Sequence, residues 1–165
     1  MQVHNFQQLY VAELQELRSS EAQMGQVLEK ASNAAEHKEL KQMLHEQRER
    51  SRVQLRRLDD LILLHNSEPR AHKDQAMTAL AHEVEKMTAM LKSPALRDAG
   101  LISSLQRLGH YEIAAYGTAA TYAKMLGFSD DQKMLHQSAD GEKSADQRLT
   151  GLAERLVNRD ALAQA

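Results

Sequence analysis

Phe6, Tyr10, Leu14, Leu17, Met24, Leu28 and Ala31 stand three, four or seven residues apart. An apolar stripe of that period shares one face only if the chain is helical, so it commits roughly Val3 to Asn33 to a single long amphipathic helix. The same spacing returns four times. Leu40, Met43, Leu44, Leu58, Leu61 and Ile62 predict a second helix from about Glu36 to His65, broken by "NSEPR" at Pro69. Met77, Leu80, Val84, Met87 and Leu91 predict a shorter one over 71–91. Leu101, Leu105, Leu108, Ala119 and Ala123 predict a third long helix. Ser93 caps it, Pro94 opens it, and Gly127 stops it after Leu126. Leu135, Ala145, Leu149, Leu152 and Leu156 predict the last. It starts at a capping box, Ser129 to Gln132, and runs to about Asn158. Two prolines and seven glycines in 165 residues leave few other places to break a helix, and an aromatic content of 4% argues against a sheet.

Connection lengths then restrict the topology. The first two long helices are joined by a few residues, and the last two by "GFS". Each pair must pack antiparallel. The stretch from Asn66 to Ser93 between them is long enough to cross the bundle. Two hairpins joined by one long crossover make an all-α, ferritin-like four-helix bundle with a short fifth helix in the crossover. Residues 1–158 are expected to form this one domain, and residues 159–165 a frayed tail. A net charge of −2 gives no global field for nucleic acid or a membrane surface. With no cysteine there is no disulfide, thiolate metal site or cysteine nucleophile. No apolar run resembles a signal peptide or a bilayer span, so a cytoplasmic location is the expectation. No phosphate loop, nucleophile elbow or zinc-protease motif is present.

Three stripes contain a residue that does not belong in an apolar core. Glu21 falls between Leu17 and Met24, Glu112 between Leu108 and Tyr116, and Glu142 between Leu135 and Ala145. Asp146 flanks Glu142 one turn later. A lone buried carboxylate costs several kcal/mol or takes up a proton. Three at similar depth repel one another unless positive charge lies between them, and iron or manganese held by carboxylate oxygens is one solution. The alternative is that the phase is off by a residue and these side chains face water. The second helix has no inward carboxylate; its stripe passes through Gln47, Ser51 and Gln54, and Glu49 points away. Arg50, at the inward edge, supplies the other solution, a positive charge in place of a metal. None of the eight histidines makes a ligand pair, with His45, His110 and His136 all off the core stripes. Met77, Met87 and Met90 read as core filler, and Tyr10, Tyr116 and Tyr122 as core residues whose hydroxyls need partners.

"AELQELRSSEAQM" (12–24), "GHYEIAAYGTAATYAKMLG" (109–127) and "GEKSADQRLTGLA" (141–153) resemble the bacterial ferritin-like stress-protein family typified by YciE and YciF. The resemblance spans nearly the whole chain, and "HYEIAAYGT" is its most specific element. It implies a homodimeric ferritin-like bundle, induction under stress and a rubrerythrin-like carboxylate metal site. Glu21, Glu112 and Glu142 match that family's inward acids and Asp146 its following aspartate. Two positions depart: Arg50 and Gly109 stand where the family usually has glutamates. Two functions follow as alternatives. One is an iron- or manganese-binding stress-response protein. The other is a metal-free, non-catalytic structural or interaction protein on the same fold, whose protein partners the sequence does not name.

Overall fold

The computed structural model describes residues 2–163. Its helices are α1 (Phe6–Ala34), α2 (Lys38–Leu64), α3 (Gln75–Met90), α4 (Pro94–Met125), α5 (Ser129–Leu152) and α6 (Asn158–Ala163). A five-residue π-helical turn, Ala153–Val157, joins the last two. Helices α1 and α2 pair along their length, as do α4 and α5, and α3 lies against α4 and α1. This is the ferritin-like bundle of two antiparallel hairpins and a helical crossover. Among the described residues no helix is long and apolar enough to cross a membrane.

Several local expectations are corrected. The crossover helix starts four residues later than 71, because Asp74 caps it by accepting from the Met77 N–H at 2.8 Å. Pro69 does not end α2. Asn66 does, with φ 56°, while the N–H groups of Asn66 and Ser67 donate back to the carbonyls of Leu63 and Ile62. Gly127 ends α4 in the same way, with φ 77°. Its N–H donates to Lys124 O and that of Phe128 to Ala123 O, the two bonds of a Schellman closure. The capping box at Ser129 does not form; Phe128 holds the N-cap position and Ser129 is already helical. Residues 159–163 are helical rather than frayed, and Ala161 is buried; residues 164 and 165 lie outside the described residues. Met77 is fully buried, whereas Met90 is 57% exposed and fills no core.

The apolar interior is split in two. One cluster gathers Met24, Leu28, Leu44, Leu105, Leu108 and Leu149. The other gathers Leu14, Leu17, Leu58, Tyr116, Leu135 and Ala139. Each long helix passes from one cluster to the other, and on each the crossing point is polar.

Candidate functional site

The crossing points are Glu21 on α1, Gln47 to Gln54 on α2, Glu112 on α4 and Glu142 on α5. Glu21 is 1% exposed, Glu112 0% and Glu142 3%. The stripe phase therefore placed all three glutamates correctly, and the water-facing alternative is excluded. They form one layer. Ser20, beside Glu21, donates its hydroxyl to Glu112 Oε1 at 2.9 Å. Tyr116, one turn beyond Glu112, donates to Glu21 Oε1 at 2.5 Å. Glu142 accepts from Gln47 Nε2 at 3.0 Å.

Helix α2 meets these acids with a row of donors and acceptors. Ser51 lies 2.6 Å from Glu21 Oε2 and 3.0 Å from the Glu21 carbonyl oxygen. Arg50 Nη1 donates to the Gly141 carbonyl at 2.6 Å, beside Glu142. Gln54 Oε1 accepts from the Ser138 hydroxyl on α5. Gln47, Ser51 and Gln54 are all buried, and Arg50 is half-buried.

Burial dominates the acid chemistry. It pushes Glu21 up to about 8, with the charge of Glu142 adding to it; Ser51, Tyr116 and Arg50 pull the other way. Glu112 is raised well above the carboxylate range, first by burial and then by Glu21 and Glu142. Burial also raises Glu142, against the pull of Arg50 and Gln47. The Ser51 geometry accommodates a protonated Glu21 as well. One hydroxyl proton cannot serve two acceptors. A neutral Glu21 donates its own proton to Ser51 Oγ, and Ser51 then donates to the carbonyl. Glu112 Oε2 is buried without a hydrogen-bond partner, a position that penalises an ionised carboxylate most.

Asp146 does not join the layer. It accepts from Gln106 Nε2 at 2.9 Å and lies 3.3 Å from exposed His110. At the edge of its stripe, it turns to the rim between α4 and α5. His45 and His136 are exposed, as their phases required. Tyr10, Tyr111 and three buried aspartates were not singled out as a group by sequence. Tyr10 donates to Asp131 and Tyr111 to Asp74, while Asp98 accepts from the backbone of Glu36 and His37. Asp131 stands in the first turn of α5, Asp74 caps α3 and Asp98 lies in the second turn of α4. An aspartate near a helix start reads as a solvent-facing dipole partner, so the sequence did not say which groups these would tie.

The donor set does not fit a two-metal centre. Carboxylate-bridged bundles draw a glutamate from each of two helices and a Glu-x-x-His pair from each of the others. Here the positions three after Glu112 and Glu142 are Ala115 and Ala145, and α2 brings a cation. Among the described residues no group of three or more His, Asp or Glu side chains is placed to hold a metal ion.

A family model described as a domain of unknown function, DUF892, matches residues 5–162. Protein YciF of Escherichia coli (strain K12) is 32% identical over 162 residues, covering 98% of this chain and 98% of its own. Its crystal structure, described as that of a stress protein, superposes with a TM-score of 0.89, covering 94% of this chain and 99% of that one at 32% identity. YcfI from Rhodopseudomonas palustris, provisionally described as a structural protein, superposes with a TM-score of 0.86 at 26% identity, covering 90% and 94%.

Proposed function

The chain belongs to the DUF892 family, and from that premise we propose that it is a stress-response protein of non-catalytic, structural or interacting type, with a core that works without a metal. The observation that carries this is the state of the three core glutamates. Each already has a side-chain hydrogen-bond partner: Glu21 in Tyr116 and Ser51, Glu112 in Ser20, and Glu142 in Gln47. Protons and hydroxyls take over the neutralising work that a cation performs in a carboxylate bundle. The descriptions of YciF and YcfI support the stress and structural parts of the reading. A homodimer is part of the same proposal, and light scattering on the purified protein measures it.

A single iron or manganese ion on Glu21, Glu112 and Glu142 is the second reading. Glu112 Oε2, buried and unpartnered, is the atom that favours it. Protein produced in iron- and manganese-supplemented medium separates the two. Elemental analysis should find metal far below one equivalent per chain, and chelator should leave Tm unchanged. Stoichiometric metal together with a Tm that falls on chelation would overturn the metal-free reading.

A further inference from the structure

We propose that Arg50 is the resident cation of this core: it holds from α2 the positive charge that a divalent ion would otherwise bring, and thereby keeps such an ion out. The inference rests on the metal-free reading above and names the residue responsible for it. Its geometry is specific. The guanidinium crosses from α2 to α5 and is fixed there by the Gly141 carbonyl at 2.6 Å. A Cβ at Gly141 would lie 3.6 Å from Arg50 Cδ, so the Arg50 side chain runs along the α5 backbone beside Glu142. Its neighbours on the same face, Gln47 and Ser51, bind Glu142 and Glu21. Arg50 is thus held at the same level as the acids, with carboxyls reaching the layer from α1, α4 and α5.

The charges facing one another are few. They are Glu21 from α1, Arg50 from α2, Glu112 with the Tyr116 hydroxyl from α4, and Glu142 from α5; at the rim, Arg50 also acts on Glu46 of α2, which pairs with Arg148 of α5 at 2.9 Å. Asp74, at the start of α3, acts on Glu112 from farther off. Arg50 acts on both Glu21 and Glu142 and favours their ionised forms. Burial opposes that ionisation in both. A divalent ion arriving here would meet a fixed positive charge, which cannot be shed because a guanidinium does not deprotonate in proteins.

A cavity of about 210 Å³ between α1 and α2 is lined by Glu21 and Ser51, with Arg48, Arg52 and Glu29 among its other residues. Glu21 itself is 1% exposed at the floor of this cleft, so the cleft marks where the layer comes nearest to solvent between α1 and α2.

The test uses the full chain, with manganous chloride as the probe, in the wild type, Arg50→Glu and Arg50→Gln. Calorimetric titration should show no wild-type binding. Arg50→Glu should bind Mn²⁺ at least about a hundredfold more tightly, because a cation becomes an anion within a side-chain length of the ion. Its Tm should rise with Mn²⁺. Arg50→Gln, which keeps a donor but loses the charge, should lose Tm more steeply than wild type as pH rises. A folded Arg50→Glu that binds no Mn²⁺, or an Arg50→Gln with a wild-type pH profile, would overturn the role of Arg50. If Arg50→Glu folds only with Mn²⁺, the inference is supported; if it folds under neither condition, the pH profile of Arg50→Gln decides. Tight binding by the wild type would instead overturn the metal-free reading itself.

Discussion

At the scale of single residues, the question is what Glu21 does when it loses its proton. Its folded pKa is about 8 against an ordinary 4.5. Between those values the folded chain holds a proton that the unfolded chain has released. Stability therefore falls as pH rises through this window, and the contribution is lost once pH passes the folded value. Glu112, also raised, acts in the same direction. Warming the protein from about pH 6 and again from about pH 9 should show a lower Tm at the higher pH, for a stability loss on the order of a few kcal/mol. Glu21→Gln should flatten that profile. Its amide can donate to Ser51 while its oxygen still accepts from Tyr116, so the variant should match wild type at the lower pH and exceed it at the higher. A Glu21→Gln profile parallel to that of wild type would mean that Glu21 is ionised throughout. The inward position of these glutamates was legible because helical phase is a local property, 100° per residue. Their partners were not. Ser20, Ser51 and Tyr116 are ordinary residues in sequence, and what they touch depends on how two helices are rotated against each other. Asp146 shows the resolution of phase alone, which could not tell a residue at the stripe edge from one in the layer.

At the scale of elements, helix ends decide where the phases start and stop. Gly127 was legible as a stop because a glycine after the last periodic residue has one obvious use. Asn66 was not, since Pro69 nearby offered a more familiar breaker. Both sit in the left-handed region, where a Cβ is strained. Gly127→Ala should cost about 1 kcal/mol and lower Tm by a few degrees. Gly109 is the opposite case. It lies mid-helix in α4, and a Cβ there would meet nothing within 4 Å. Gly109→Ala should stabilise by about 0.5–1 kcal/mol in urea denaturation, by cutting the freedom of the unfolded chain without a clash. A loss in that experiment would mean that the space beside Glu112 is needed as space. The π-helical turn at 153–157 had no sequence signal, because Leu152 and Leu156 keep the spacing of an uninterrupted α-helix.

At the scale of the whole molecule, the topology was legible from connection lengths alone, because short links force antiparallel neighbours and one long link must cross. How the hairpins are fastened to each other was not. Each end of the bundle is tied by one buried aspartate. At one end Asp98, in the second turn of α4, accepts from the N–H groups of Glu36 at 2.9 Å and His37 at 2.8 Å, fixing the α1–α2 connection. At the other, Asp131 on α5 accepts from the Tyr10 hydroxyl at 2.9 Å and lies 2.8 Å from His65 Nε2, joining α1 and the end of α2 to the second hairpin. With 1.5 Å of rise per residue, α4 separates the two ties by roughly 40 Å. Asp98→Ala strands two backbone donors, and Asp131→Ala strands the Tyr10 hydroxyl and the imidazole. Each should cost about 2–3 kcal/mol. Sites this far apart with no shared partner should also lose stability independently, so the double variant should show the sum within about 0.5 kcal/mol. The polar layer lies between them, and this makes the sum informative. If its acids and Arg50 form a self-contained unit, neither end tie alters it, and the double variant keeps the slope of Tm against pH that each single variant shows. Urea denaturation of the four proteins measures the sum, and melts across pH measure the slope. A double variant markedly more stable than the sum, or one whose pH dependence has changed, would mean that the hairpins shift against each other when untied and that the layer moves with them.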